Sequence, residues 1–146
     1  MIAIDTNLLV HAHHRESILH SDARKLIQEC AESPKPWAVC YHSLVEFYGV
    51  ATHVKLWKRP SLPSEAVDQI QAWCESPSLR VLFDSRQSFA MLQDLLVEAK
   101  IQGPMVHDAR IAACCLADGV GELWTVDRDF SRFVQLKTRN PLARRI

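Results

Sequence analysis

Carboxylates stand where short apolar runs stop and where apolar helices begin: Asp5, Glu46, Asp108, Asp127 and Asp129. Ile2-Ala3-Ile4 stops at Asp5, and Leu123-Trp124-Thr125-Val126 stops at Asp127. Such runs read as buried strands of a parallel sheet. Open α/β sheets bind their ligands beyond the carboxyl ends of the strands. Carboxylates gathered there raise one another's pKa. A hard divalent cation removes that penalty, and Mg²⁺ takes oxygen ligands. The chemistry this suggests is metal-assisted phosphodiester hydrolysis. One or two Mg²⁺ ions would be held by Asp5 and Asp108, with Asp127 and Glu46 completing the shell, partly through water.

Each acid also has a plainer reading. Asp5 suits a helix cap, and Thr6 and Asn7 after it can hydrogen-bond its carboxylate or a bound water. Glu46, inside Leu44-Val45-Glu46-Phe47-Tyr48, either faces solvent or is buried with a partner. Asp108 suits the first turn of a helix. The helix it opens is apolar all round (Ala109, Ile111, Ala112, Ala113, Cys114, Cys115), so it is a buried one whose start opens near the sheet edge. Of Asp127 and Asp129, one is a ligand and the other caps the next turn. Asp127 is the preferred ligand because it is nearer the strand end.

The elements that must position these acids alternate. Strands are expected at Ile2–Ile4, Trp37–Cys40, Leu79–Phe83 and Leu123–Val126, with a short fifth at Val134–Leu136. Helices are expected over Asn7–His13, Asp22–Cys30 (capped by Ser21), Ser43–Thr52, Ser64–Cys74, Ser85–Lys100 and Val106–Asp118. Val67 and Phe89 are expected to face inward. Alternation of this kind gives a parallel sheet with helices on both faces. At 146 residues the chain suits one domain, 1–146.

Composition narrows the class. Hydrophobic residues make up 48% and charged residues 23%, ordinary values for a globular protein. No apolar run approaches the roughly 20 residues of a membrane span, and the chain enters its first strand without a signal-like segment, so a cytoplasmic protein is expected. Cys30, Cys40, Cys74, Cys114 and Cys115 form no CxxC pair and read as reduced core residues. His11, His13 and His14 lack the spacing of a zinc site. Formal net charge is zero. Yet from residue 128 onward Arg128, Arg132, Lys137, Arg139, Arg144 and Arg145 face only Asp129.

Together the blocks Ile4-Asp5-Thr6-Asn7-Leu8-Leu9, Leu44-Val45-Glu46-Phe47, His107-Asp108-Ala109-Arg110-Ile111-Ala112-Ala113 and Leu123 to Phe133 resemble a PIN-domain ribonuclease of the VapC toxin type. The resemblance runs the length of the chain, to Asn140-Pro141-Leu142. It implies a three-layer α/β sandwich with a central, mainly parallel five-stranded sheet. It implies a Mg²⁺- or Mn²⁺-dependent endoribonuclease held inactive by a cognate antitoxin. The family's acidic centre falls on Asp5, Glu46, Asp108 and Asp127, with Asp129 auxiliary.

RNA would be held by Thr6, Asn7, Arg110 and Arg128, with Arg132 nearby, because phosphate contacts carry affinity. In His53-Val54-Lys55-Leu56-Trp57-Lys58-Arg59, Trp57 can stack on an unpaired base, or the segment is a solvated helix end. His107 can orient Asp108 or substrate, or lie at the surface. The basic C-terminus can meet an acidic stretch of antitoxin. Val45, Tyr48, Leu56 and Trp57 offer an apolar face for a two-fold homodimer. Two enzyme classes fit poorly. An aspartyl phosphatase needs an acid where Asn7 stands, and a dinucleotide-binding fold needs a glycine-rich turn after strand one. The non-enzymatic alternative is an RNA- or partner-binding domain with a structural metal.

Overall fold

A computed structural model of the chain describes residues 1–143. Arg144 and Arg145 of the basic tail lie outside the described residues. The strands are β1 (Ile2–Ile4), β2 (Trp37–Cys40), β3 (Leu79–Leu82), β4 (Glu122–Trp124) and β5 (Thr138–Arg139). The helices are α1 (Thr6–His13), α2 (His20–Glu32), α3 (Tyr41–Ala51), α4 (Pro63–Cys74), α5 (Arg86–Glu98) and α6 (Val106–Ala117). All strand pairs are parallel, in the order β3-β2-β1-β4-β5. The chain steps from β1 outward to β3, then returns to the other side of β1 with β4. The strand order therefore reverses between β1 and β4, where ligands of open sheets bind.

Alternation along the strands builds the two faces. Ala3, Ala38, Cys40, Leu82 and Leu123 point into one core with α5 and α6 residues such as Leu95, Ile111 and Cys115. Ile4, Trp37 and Val39 point into the other, with Leu8, Ile27, Phe47 and Trp73 from α1 to α4. The period of two in strand side chains produces this division. Helix α6 is buried along most of its length, as its composition requires. It stops at Gly119, whose φ of 68° admits the left-handed turn, and Val120 N–H closes that turn on Cys115 O at 2.9 Å. Among the described residues no helix is long and apolar enough to cross a membrane.

Several boundaries differ from expectation. The fifth strand is Thr138–Arg139, while 134–136 form a turn. Leu136 reaches the core but Val134 is 89% exposed, so the apolar letters there mark a plug rather than a strand. The real edge strand reads as polar because its backbone does the pairing: Leu123 N–H donates to Lys137 O and Thr125 N–H to Arg139 O, both at 2.9 Å. Side chains of this strand and of Lys137 just before it cover β4 from outside, with Lys137 Nζ 3.2 Å from Glu122 and the Arg139 guanidinium over the Trp124 ring. β4 itself ends at Trp124. Helix α2 begins at His20, without a side-chain cap from Ser21. Val67 and Phe89 face solvent, because the sheet side of α4 and α5 is filled by Ala66, Trp73 and Leu95.

Candidate active site at the carboxyl edge of the sheet

Asp5 stands one residue beyond β1 and is only 3% exposed. It is both a cap and a buried acid. Its Oδ1 accepts the Thr6 N–H at 2.7 Å and so opens α1, while Oδ2 accepts the Thr125 hydroxyl at 2.7 Å. Its own N–H donates to Trp124 O at 3.0 Å, which ties β1 to β4. Burial pushes its pKa up to about 7, against the lowering effect of those hydrogen bonds and with help from the charges of Asp108 and Glu46.

Thr125 is the hub of this side of the site. Besides donating to Asp5, its oxygen accepts from Asn7 Nδ2 at 3.3 Å and from the Asp127 N–H at 3.0 Å. One donor and two acceptor positions are the whole capacity of a hydroxyl. Asn7 Oδ1 in turn accepts the Val126 N–H at 3.5 Å. Asp127 Oδ1 accepts the Asp129 N–H at 2.8 Å and caps the 3-10 turn over Arg128–Arg132. Capping and proximity to the strand end thus fall on the same residue, Asp127. Asp129 and Arg128 are exposed.

Asp108, half-buried in the first turn of α6, has its pKa raised by burial and then by the charges of Asp127 and Asp129. Glu46, half-buried on α3, has its pKa raised by burial and then by Asp108. The edge therefore brings Asp5, Glu46, Asp108 and Asp127 into electrostatic contact, with Asp129 at the rim. Among the described residues, no three His, Cys, Asp or Glu side chains stand close enough to grip one ion together.

A second chain of contacts holds the Glu46 side. Arg110 Nε and Nη2 donate to Asp84 Oδ2 at 3.0 and 2.5 Å, and Nη1 donates to His42 Nδ1 at 3.0 Å. A guanidinium only donates. His42 Nδ1 must therefore accept, which leaves the proton of the neutral ring on Nε2. That nitrogen lies 3.2 Å from Glu46 Oε1, one helical turn on, but off the line of a hydrogen bond. His42 also stacks against His107, with ring centroids 5.3 Å apart. Burial, then the Arg110 charge, lowers the pKa of His42. Among the described residues, Thr6 Oγ1, His42 Nε2, Ser43 Oγ and Glu46 Oε1 are buried without a hydrogen-bond partner, and Thr6 Oγ1 stands beside Glu46.

The donor set suits a hard divalent cation: carboxylate and hydroxyl oxygens, two of them buried and unpartnered at Thr6 and Glu46, around an acid that burial has made reluctant to ionise. Thr125, Asp84 and His42 had no role in the sequence reading. Each carried a signal. Thr125 is polar inside an apolar run, Asp84 follows a strand as Asp5 does, and His42 lies four residues before Glu46. Arg110, expected to meet phosphate, instead grips Asp84 and His42. Trp57, one of whose two readings was a base platform, has one face stacked on His14 at 3.7 Å, and its indole N–H donates to Val50 O. A cavity of about 1040 Å³ lies away from the acids and is lined by His13, Arg15, Arg24, Arg59 and Trp73 among others.

The chain belongs to the PIN domain family, whose model matches residues 2–136. It is 27% identical over 139 residues to Ribonuclease VapC48 of Mycobacterium tuberculosis (strain ATCC 25618 / H37Rv), covering 95% of this chain and 96% of that protein. It is 28% identical over 142 residues to Ribonuclease VapC43 of the same strain, covering 97% and 96%. Among solved structures, Mycobacterium tuberculosis VapC20, a Sarcin-Ricin loop cleaving toxin, superposes with a TM-score of 0.69 at 20% identity over 90% of this chain and 93% of that one. VapBC2 from Rickettsia felis, bound to a promoter DNA fragment, gives 0.70 at 18% identity over 95% and 98%. At those identities the structures speak for the fold.

Proposed function

We propose that the chain is an endoribonuclease that hydrolyses RNA phosphodiesters at this acid edge with a divalent cation, and that it is the toxin of a toxin–antitoxin pair. The observation that carries the chemistry is Asp5: a buried carboxyl at the reversal of strand order, coupled to Glu46 and Asp108. The relatives named as VapC ribonucleases support the substrate class, and the VapBC complexes of Rickettsia felis and Haemophilus influenzae support a cognate antitoxin as partner. A homodimer through the exposed Val45 and Leu56 belongs to the same proposal.

Asp5, Asp108 and Asp127 would share Mg²⁺ or Mn²⁺ with Glu46 completing the shell, partly through bound water, since among the described residues no three of these side chains stand close enough to grip one ion directly. When bound, such an ion would neutralise the acids and lower the pKa of a water that could attack phosphorus. The chain's own residues prepare the place. The Thr125 hydroxyl and the Thr6 N–H fix both oxygens of Asp5. Asn7 and the Asp127 N–H fix Thr125. Asp84, through Arg110, fixes the His42 ring beside Glu46. Arg128, exposed on the adjoining turn, is free to meet a phosphate. Asp129 is an auxiliary acid at the rim.

The test is cleavage of RNA by the purified chain with Mg²⁺ or Mn²⁺, with EDTA, and with Asp108→Asn. Cleavage is expected only in the wild type with added cation, while circular dichroism shows the variant folded. Undiminished cutting by folded Asp108→Asn, or cutting in EDTA, would overturn the proposal. Metal and RNA binding without cleavage would favour a non-catalytic binding domain.

A further inference from the structure

The acid edge poses an electrostatic problem for its own substrate. RNA affinity normally comes from Lys and Arg on phosphates. Here the formal net charge is zero, the edge carries Asp5, Glu46, Asp108, Asp127 and Asp129, and Arg110 is already paired with Asp84. A further source of affinity that does not depend on charge is base stacking.

The structure offers such a surface on the same edge. Cys40 pairs with Leu82 in the β2–β3 register, so the next residues, Tyr41 and Phe83, stand side by side just beyond the strands. Their rings are stacked, with centroids 5.3 Å apart and planes 27° apart. Both are exposed, at 48% and 59%, so neither is a core residue. Strands lie about 4.8 Å apart, so β2 and β3, which carry Tyr41 and Phe83 just beyond their ends, run roughly 5 and 10 Å from the β1 backbone that leads into Asp5. That is the distance of about one or two nucleotides from a phosphate seated at the acids.

The pair is also held rigidly to the site. Tyr41 precedes His42 and Phe83 precedes Asp84, and these are the two ends of the Asp84–Arg110–His42 bridge. Beside the bridge opens a cavity of about 230 Å³ between Asp84, Arg110, Phe89 and Leu92. Trp57, by contrast, is half-buried and its indole N–H donates to Val50 O.

We propose that Tyr41 and Phe83 form a stacking platform for an unpaired RNA base next to the cleaved phosphodiester; this rests on the ribonuclease reading above. A duplex hides the faces of its bases, so the platform selects single-stranded segments, loops or bulges.

Steady-state cleavage of a short single-stranded RNA, with Mn²⁺ present, tests this. Tyr41→Ala and Phe83→Ala should each raise KM about 5- to 100-fold with kcat within about two-fold. Tyr41→Phe and Phe83→Trp should keep the wild-type KM, and the duplex of the same sequence should be a poor substrate throughout. Tyr41→Leu and Phe83→Leu keep apolar bulk without a π-face, so they should behave like the alanine variants. Leucine variants with wild-type KM would overturn the platform and mark the patch as an apolar contact for a protein partner. So would alanine variants with unchanged KM. If the wild type cuts no RNA with any divalent cation, the ribonuclease reading itself has failed and the platform goes with it.

Discussion

The two sides of the acid edge are built differently. On the β1–β4 side both oxygens of Asp5 have partners: the Thr6 N–H, Thr125, Asn7 and the Asp127 N–H close a network in which Thr125 lies 120 positions from Asp5 and 118 from Asn7. On the α3 side, His42 Nε2 and Glu46 Oε1 lie 3.2 Å apart with Thr6 Oγ1 beside them, but off hydrogen-bond geometry, and among the described residues these atoms and Ser43 Oγ are buried without a well-formed partner. An unmade hydrogen bond of this kind costs about 1–3 kcal/mol. The first side is therefore a fixed reference, set when the ends of the sheet come together. The second retains donors and acceptors for groups that are not part of the fold. A cation or substrate is expected to change the second side more than the first.

The largest break in that contrast comes from Asp5→Asn. It removes the charge at the centre of the fixed side, and RNA cleavage should fall by roughly 10²- to 10⁴-fold, read as initial rate under saturating Mn²⁺. The same residue sets a pH dependence in metal-free protein. Its folded pKa of about 7 lies above the ordinary 3.8. Between those values the folded state keeps a proton that the unfolded state releases, so stability falls as pH rises from about 4 to 7 and stays reduced above. At most the fall is roughly 4 kcal/mol. Glu46 and Asp108 shift in the same direction and add to it. Urea unfolding at pH 5 and pH 8 in EDTA checks this, and Asp5→Asn should flatten the difference.

Thr125→Val sharpens the comparison without touching a charge. It keeps the shape but leaves Asp5 Oδ2, Asn7 Nδ2 and the Asp127 N–H without their partner. A loss of about 1–3 kcal/mol is expected in urea unfolding, with a clear fall in kcat. On the other side, Arg110→Lys should cost less than about 1 kcal/mol, because the Arg110–Asp84 pair is partly solvated. It should still free His42 from its single tautomer, which ¹⁵N shifts of the ring would show. If Arg110→Lys costs as much stability as Thr125→Val, the two sides do not differ as described.

Much of the fold was legible because the strands are short and largely apolar, and because β1, β3 and β4 are followed by the cap residues Asp5, Ser85 and Asp127. The edge strand Thr138–Arg139 was not, since its stability comes from backbone pairing and from Lys137 and Arg139 reaching Glu122, neither of which leaves an apolar pattern. The acids were legible individually from their places at strand and helix ends. Their supports were not. Thr125 acts on a residue 120 positions away, and Asp84 reaches Glu46 only through Arg110 and His42. Spacing along one chain does not encode such relays. Trp57 was left open between a base platform and part of a solvated helix end, because a basic, aromatic segment reads the same whether its ring is free or stacked on His14.

The most direct measurement is the thermal midpoint at pH 8 with and without Mn²⁺, for wild type, Asp5→Asn and Asp108→Asn. If the acid edge holds the cation, a concentration about a hundred times Kd should stabilise the wild type by about 2.7 kcal/mol, or roughly 5–10 °C, and leave both variants unmoved. An equal rise in all three proteins would place the ion elsewhere and contradict the assignment of this edge as the metal centre.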